Sequence, residues 1–302
     1  MSDFYPVLIK NNGDIFHNAF ATSHKDLISI YITDEDEKNK SYFKAKFSPR
    51  EGIRLDNVNN YRLLFLESFI PEWFNGEFAK TTIDKLKAII DSMIIRNHKA
   101  LLLHEGAILI KKASIDQIKH SIIFAMYDNS RIKQVNNNSE IYEMHDNSCI
   151  DEIYDNSIVN TIDDYARINE MYDYSKIIKI SGQAKVGQMF NHAHIAMLKG
   201  DANIEEMHEM SQADRMKHMS RINEMHDHAA IEEMWDFTVV EKMFDKSRIH
   251  YMNQDSKIME MRGDSIVEYM CGNSIVEKLY ENSLVFKIDN MGRILEKQLN
   301  KQ

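Results

Sequence analysis

The sequence predicts a mainly β fold: a parallel β-solenoid with two nine-residue repeats per coil, preceded by a small α+β N-terminal domain. Three observations carry this. Residues 122–294 are one nine-residue unit written repeatedly, from DNSRIKQVN and NNSEIYEMH to GNSIVEKLY and ENSLVFKID. Every ninth residue from Ser130 to Ser283 is Ser, Ala or Thr, and Ile or Val follows two places later except at Ala213. Three residues further on stands an apolar residue, most often Met (Met144, Met171, Met189, Met207, Met225, Met243). A short fixed period is the signature of a solenoid whose units stack only on their neighbours.

Residues 1–103 lack the period and form the expected N-terminal domain. Apolar or alternating runs at Tyr5–Ile9, Leu27–Ile32, Tyr42–Phe47 and Tyr61–Leu66 read as strands, separated by turn clusters that include Asp34–Lys40. Thr81 or Thr82 is expected to cap a helix running to about His98, with Leu86, Ile89, Ile90, Met93 and Ile94 as its buried stripe. Pro71–Phe74 reads as a loop anchored by aromatic burial.

The solenoid is expected over 104–294, with irregular first rungs at 104–120 and regular ones from Ser121. Ala113, Ile115 and Ile118 already match the Ser/Ile/Met offsets. In each unit the Ser-x-Ile step places two side chains on one strand face, but Met lies at an odd offset, so a corner or bulge must intervene. The Asp/Gly-Asn/Asp pair before each Ser suits a turn with left-handed backbone. About ten coils at ~4.8 Å per rung give a rod of roughly 50 Å. The N-terminal domain is expected to cap one end. Residues 295–302 are expected to cap the other, with Ile294, Leu295 and Leu299 turned inward.

Columns read at every eighteenth residue decide the coil length. After the Met position they give Tyr154, Tyr172, Phe190, His208, His226, Phe244, Arg262 and Tyr280; before it, Glu152, Glu170, Gln188, Glu206, Glu224, Lys242, Glu260 and Lys278. Beside the glutamates runs an acidic-leaning column containing Asp151, Glu205, Glu241 and Glu277. One wall thus presents carboxylates edged by rings, and Glu152, Tyr154, Glu170, Tyr172, Phe190, Glu205, Glu206, His208, Glu224, His226, Phe244, Glu260 and Tyr280 are the candidate binding residues.

Charge agrees with this placement. Residues 1–129 hold 17 acidic and 17 basic side chains, whereas residues 130–302 hold 30 and 20. A net charge of −10 opposes direct nucleic-acid binding, which rests on Lys and Arg neutralising phosphate. No apolar run reaches the ~20 residues of a membrane helix, and no signal-peptide pattern opens the chain. Cys149 and Cys271 stand nearly seven coils apart, about 30 Å, too far for a disulfide, which suits a reduced cytoplasmic setting.

The regular part resembles short-repeat β-solenoid proteins of phage and mobile-element type, and in architecture it is similar to pentapeptide-repeat and hexapeptide β-helix proteins. By that resemblance an acidic solenoid wall can imitate nucleic acid. Calcium β-rolls share the coil length, but their glycine-rich aspartate turns are replaced here by Asp/Asn-Ser.

For function, the sequence points to a non-enzymatic intracellular interaction protein. Its acidic, aromatic-edged wall is expected to dock on a basic protein surface, in the manner of a phage-type inhibitor or nucleic-acid mimic of a host defence or nucleic-acid-handling complex. A structural virion or adhesin component that assembles as a homo-oligomer is the alternative. An enzyme or ligand binder using the N-terminal domain is the third reading. No phosphate loop, nucleophile elbow or HExxH motif occurs, and no catalytic residue, metal ligand or cofactor is expected. His192, His194, His208, His226 and His228 read as surface histidines in tolerant columns.

Overall fold

The computed structural model describes residues 6–18, 23–67, 70–100, 107–289 and 291–298. The expectations for Tyr5, His104, Glu105 and Leu299 lie outside these residues. The chain divides into two compact units, Met1–Ile95 with Glu105–Ile108, and Arg96–His104 with Leu109–Gln302.

In the first unit, strands β1 (Pro6–Lys10), β2 (Ile15–Phe16), β3 (Tyr42–Pro49) and β4 (Tyr61–Phe65) form an antiparallel sheet ordered β2-β1-β3-β4. Alternation in β3 buries Phe43, Ala45 and Phe47. Two expectations are corrected. Leu27–Tyr31 of the run belongs to helix α1 (His24–Tyr31), with Ile32 its C-cap, and the supposed turn Asp34–Lys40 is helix α2 (Asp34–Asn39) with Lys40 as C-cap. Both open on capping boxes, Ser23 with Asp26 and Thr33 with Asp36. Satisfying the first orphan N–H groups outweighs the β preference of Ile and Tyr. Helix α3 (Gly76–Met93) starts earlier than expected, because the Asn75 side chain accepts from Phe78 N–H at 3.0 Å, and ends before the expected His98, since Ile94–Arg96 is a strand. It buries Thr82, Leu86 and Ile90, while Ile89 and Met93 are half-buried. Phe74 is buried against Phe43 and Phe78.

The second unit is built on two parallel sheets of twelve strands each. The first wall contains Ser114–Lys119, Arg131–Asn136 and Cys149–Ile153, and continues to Arg293–Gln298. The second contains Ile122–Met126 and Glu140–Met144, and continues to Leu284–Ile288. Pairs such as Ile132↔Ile150 and Met189↔Met207 stand eighteen residues apart, so one coil holds two units. The coil containing Ala113 is one residue shorter, with Ile115 paired to Ile132. The walls begin before residue 104: Ile94–Arg96 and Lys99–Ala100 are already their outermost strands. The repeat cannot reveal these rungs, because they precede its Ser/Ile/Met register. At the far end, Arg293–Gln298 does not fold over the core as a cap. It pairs in parallel with Ile275–Tyr280 as another rung, and Leu295, expected inward, is 59% exposed.

In the strands from Arg131–Asn136 to Ile275–Tyr280 the second and fifth residues are buried and the two between them are not, as in Arg167–Met171. Register pairs omit the third residue: Arg167, Ile168, Glu170 and Met171 pair with the next coil, and Asn169 does not. The strand bends there, which turns the Met inward. The Ser, Ile/Val and Met columns are almost wholly solvent-free.

The second bend is the turn. Its first residue takes positive φ, between 53° and 72°, in every unit from Asp128 to Glu281. Asp, Asn and Gly accept this left-handed conformation most readily. Their side chains also reach back one coil. Asp155 N–H donates to Asp173 at 3.1 Å, Asp173 N–H to Asn191 at 3.1 Å, Asn191 N–H to Glu209 at 2.6 Å and Glu209 N–H to Asp227 at 3.0 Å. At two places where the next coil brings glycine, the chain substitutes locally: before Gly182, Asp164 N–H turns to the Asp163 side chain at 2.9 Å, and before Gly272, Gln254 N–H turns to Asn253 at 2.7 Å.

Two stability outcomes follow. Asp227→Ala should lose about 2 kcal/mol, combining left-handed strain with an unmet N–H on Glu209. Asp227→Asn should lose almost nothing in the same urea melt; equal losses would refute the ladder. Ser148, fully buried, has no partner for its hydroxyl among the described residues. Ser148→Ala, which copies Ala166 in the next coil, should leave stability unchanged or raise it by about 1 kcal/mol. A clear drop in melting temperature would show that the hydroxyl is bonded.

Candidate interaction surface

All thirteen candidate residues fall on the first wall or the ring column that follows its strands. Register pairing stacks Glu152 on Glu170, Glu206 on Glu224 and Lys242 on Glu260. The rings stack beside them. Centroid distances are 4.9 Å for Tyr154–Tyr172, 5.1 Å for Tyr172–Phe190, 5.0 Å for Phe190–His208, 4.9 Å for His208–His226 and 4.8 Å for His226–Phe244. Arg262 lies over the Tyr280 ring at 4.8 Å.

The two columns are chemically coupled. Tyr154 donates to Glu152 at 2.9 Å and Tyr172 to Glu170 at 2.5 Å. His208 meets Glu206 at 2.9 Å, His226 meets Glu224 at 3.3 Å, and Arg262 meets Glu260. Where the ring has no donor, at Phe190 and Phe244, the residue two places before it is Gln188 or Lys242 instead of Glu. These two also relieve repulsion along the stack: Gln188 donates to Glu206 at 2.7 Å and Lys242 to Glu224 at 2.9 Å. Hydrogen bonds from His208 and then Gln188 hold the Glu206 carboxyl below the usual range, and Lys242 does the same first for Glu224. Burial, then donation to Glu152, pushes the Tyr154 phenol up to about 12, and Tyr172 is raised by the same causes.

Sequence reasoning missed a third column. The first strand residue of the wall reads Arg131, Cys149, Arg167, Lys185, Asn203, Arg221, Val239 and Lys257. Three of its cations pair diagonally into the acidic column: Arg131–Asp151 at 2.7 Å, Arg221–Glu241 at 2.6 Å and Lys257–Glu277 at 2.5 Å. The same eighteen-residue reading, applied one position after Ser, would have found it. Acidic and basic side chains on the wall strands and rings from Arg131 to Tyr280 are equal in number.

The net negative charge lies at the turns. The turn pairs from Asp128 to Asn282 carry acids at most coils, among them Asp155, Asp173, Glu209, Asp227, Asp245 and Glu281, and a single Lys or Arg, Lys246. Asp155, Glu209, Asp227 and Asp245 are exposed, whereas on the wall Glu152, Glu170, Glu206 and Glu224 are half-buried and Glu205 is exposed; the Asp245 side chain is 59% exposed, against 31% for Glu224 and 20% for Glu260. The tips between them expose Tyr174, Met210, Met219 and Phe237.

His192, His194, His208 and His226 find partners within the wall and turn columns. His194 contacts Asp214 at 2.6 Å, and His192 stacks on Tyr174 at 4.9 Å. Among the described residues no group of three or more His, Cys, Asp or Glu is placed to hold a metal ion. Cys149 and Cys271 are free thiols. No helix among these residues is long and apolar enough to cross a membrane. Comparison with protein-family models, curated proteins and solved structures finds no match to the chain.

The raised phenol gives a direct check. Its protonated form is favoured in the fold, so its contribution is complete below pH 10 and is lost as pH rises through about 12. The ultraviolet titration difference between wild type and Tyr154→Phe should centre near pH 12, and Glu152→Gln should lower it. A midpoint at 10 in the native protein would mean that Tyr154 is not engaged by Glu152.

Proposed function

We propose that this chain is a non-enzymatic interaction protein that docks on a basic protein surface inside a cell. The observation that carries the reading is where the charge sits. The wall glutamates are held by their own rings and by Gln or Lys, whereas the turn carboxylates are ranked one coil apart and reach solvent. The turn edge formed by Asp155, Asp173, Glu209, Asp227 and Asp245 directly follows the ring column Tyr154, Tyr172, His208, His226 and Phe244. Such an edge suits a partner that normally holds nucleic acid, because periodic anions on a rigid support resemble a phosphate backbone to its Lys and Arg. Inhibition of a nucleic-acid-handling or defence complex in the cytoplasm is the biological role this favours.

The test uses the ladder's own tolerance for Asn, seen at Asn191. A variant with Asp155, Asp173, Asp227 and Asp245 all changed to Asn keeps the turn geometry and removes four charges. It should lose at least tenfold in salt-sensitive affinity for a lysine-rich peptide, read by fluorescence anisotropy. Changing Glu152, Glu170, Glu206 and Glu224 to Gln should matter less. The opposite ranking would move the docking face back to the wall, and retention of duplex DNA near physiological salt would overturn the mimic.

A structural, self-assembling role is the second reading. It is favoured by the last coil, which exposes Leu284, Phe286, Met291 and Leu295 where earlier coils are mostly polar. Concentration-dependent growth in light scattering would support it over docking.

A further inference from the structure

The second wall carries a short ring stack outside the candidate surface. Tyr251 and Tyr269 are 5.2 Å apart with planes 6° from parallel. Their hydroxyls are fixed diagonally, Tyr251 against Cys271 Sγ at 3.0 Å and Tyr269 by donation to Asp289 at 2.5 Å. A two-ring stack has two outer faces. One is covered by the chain itself: Lys287 Nζ sits 4.8 Å over Tyr269 and 3.3 Å from the Asp289 carboxylate. That is a cation held jointly by an aromatic face and an acid.

The other face opens on a shallow cleft of about 400 Å³ lined by Glu232, Glu233, Trp235, His250 and Tyr251. Trp235 leans over it, 5.8 Å from Tyr251 and tilted by 46°. Glu233 stands in register with Tyr251 on the preceding rung, as Tyr269 stands in register with Lys287. The acids are oriented by neutral donors: Trp235 Nε1 donates to Glu233 at 3.0 Å and Gln212 to Glu232 at 2.9 Å. His250 is 3.7 Å from Glu232 but closer, at 3.0 Å, to Glu268, which also holds Arg248 at 2.9 Å. Among the described residues neither Glu232 nor Glu233 has a Lys or Arg within ion-pair distance. Two carboxylates without a Lys or Arg partner therefore flank an aromatic face whose counterpart is already occupied by a lysine.

We infer that the Trp235–Tyr251 cleft binds one lysine or arginine side chain of a partner protein, with the cation over Tyr251, against Trp235, and paired to Glu232 and Glu233. This rests on the reading that the partner is basic, but it names a different face from the acidic turn edge. Arginine should bind better than lysine, since its flat guanidinium stacks on the rings while donating to both carboxylates.

Trp73→Phe leaves Trp235 as the only tryptophan. In that background, tetra-arginine amide should quench its fluorescence saturably, tetralysine more weakly, and an uncharged Gly-Ser peptide not at all. By calorimetry, Trp235→Ala and Tyr251→Leu should each weaken tetra-arginine binding roughly tenfold. Glu233→Gln should weaken it severalfold, and Tyr251→Phe, which keeps the ring face, should bind nearly as wild type. Circular dichroism melts exclude unfolding, and the Phe and Gln variants decide the matter if a truncated ring destabilises the rung. Binding insensitive to Trp235 and Glu233 but lost in the Asp155, Asp173, Asp227 and Asp245 variant would refute the cleft and leave the turn edge standing. No saturable binding of either peptide would overturn both.

Discussion

The left-handed residue that closes each nine-residue unit is the constraint on which the rest depends. A coil this small must turn sharply, and a sharp turn needs a backbone conformation that most L-residues resist. Asp and Asn meet two demands there. They tolerate the conformation, and their side chains accept the N–H of the corresponding residue one coil earlier. Carboxylates therefore accumulate at the turns for reasons of folding, and the chain's negative charge is a consequence of its turn chemistry. The partner we propose for this edge would use anions the fold has already fixed by its turn chemistry.

The first wall solves a different problem. Stacking identical residues is inevitable in a solenoid, and stacked carboxylates repel. Here each glutamate is matched to the donor two residues later, and Gln or Lys replaces it where that neighbour is Phe. Gln188 and Lys242 also donate along the stack, interrupting runs of like charge. With the diagonal pairs of Arg131, Arg221 and Lys257, the wall is close to self-sufficient in hydrogen bonds and charge. The second wall does not repeat this arrangement around Glu232 and Glu233, whose partners are a glutamine, an indole and a histidine better placed on Glu268.

How much of this could be read in advance differs between the two units. In the solenoid the nearest neighbour of a residue in space lies eighteen positions away, so aligning the repeat aligns the structure. The Met core, the bend between Ile and Met, the left-handed turns and the ring ladder all follow from that alignment. The basic column is equally legible in that alignment, one position after Ser. In the first unit no such rule applies. Leu27–Ile32 carries a β-like composition, yet Ser23 and Thr33 with their acidic partners make it and the next segment helical. The early start of α3 depends on one Asn75 hydrogen bond.

By itself the sequence determined the coil, its core and its columns, because a repeat whose contacts are all with adjacent copies encodes them locally. It also determined that negative charge must gather in the second unit. Only the tertiary structure decided which carboxylates remain open to solvent, since that depends on diagonal contacts across twenty residues and on ring tilt. Arg221 reaches Glu241, His194 reaches Asp214, and Trp235 leans across Tyr251 at an angle no column alignment contains. Side-chain reach between columns, set by the bend and twist of each strand, separates the acids paired within the walls from those that stay open to solvent.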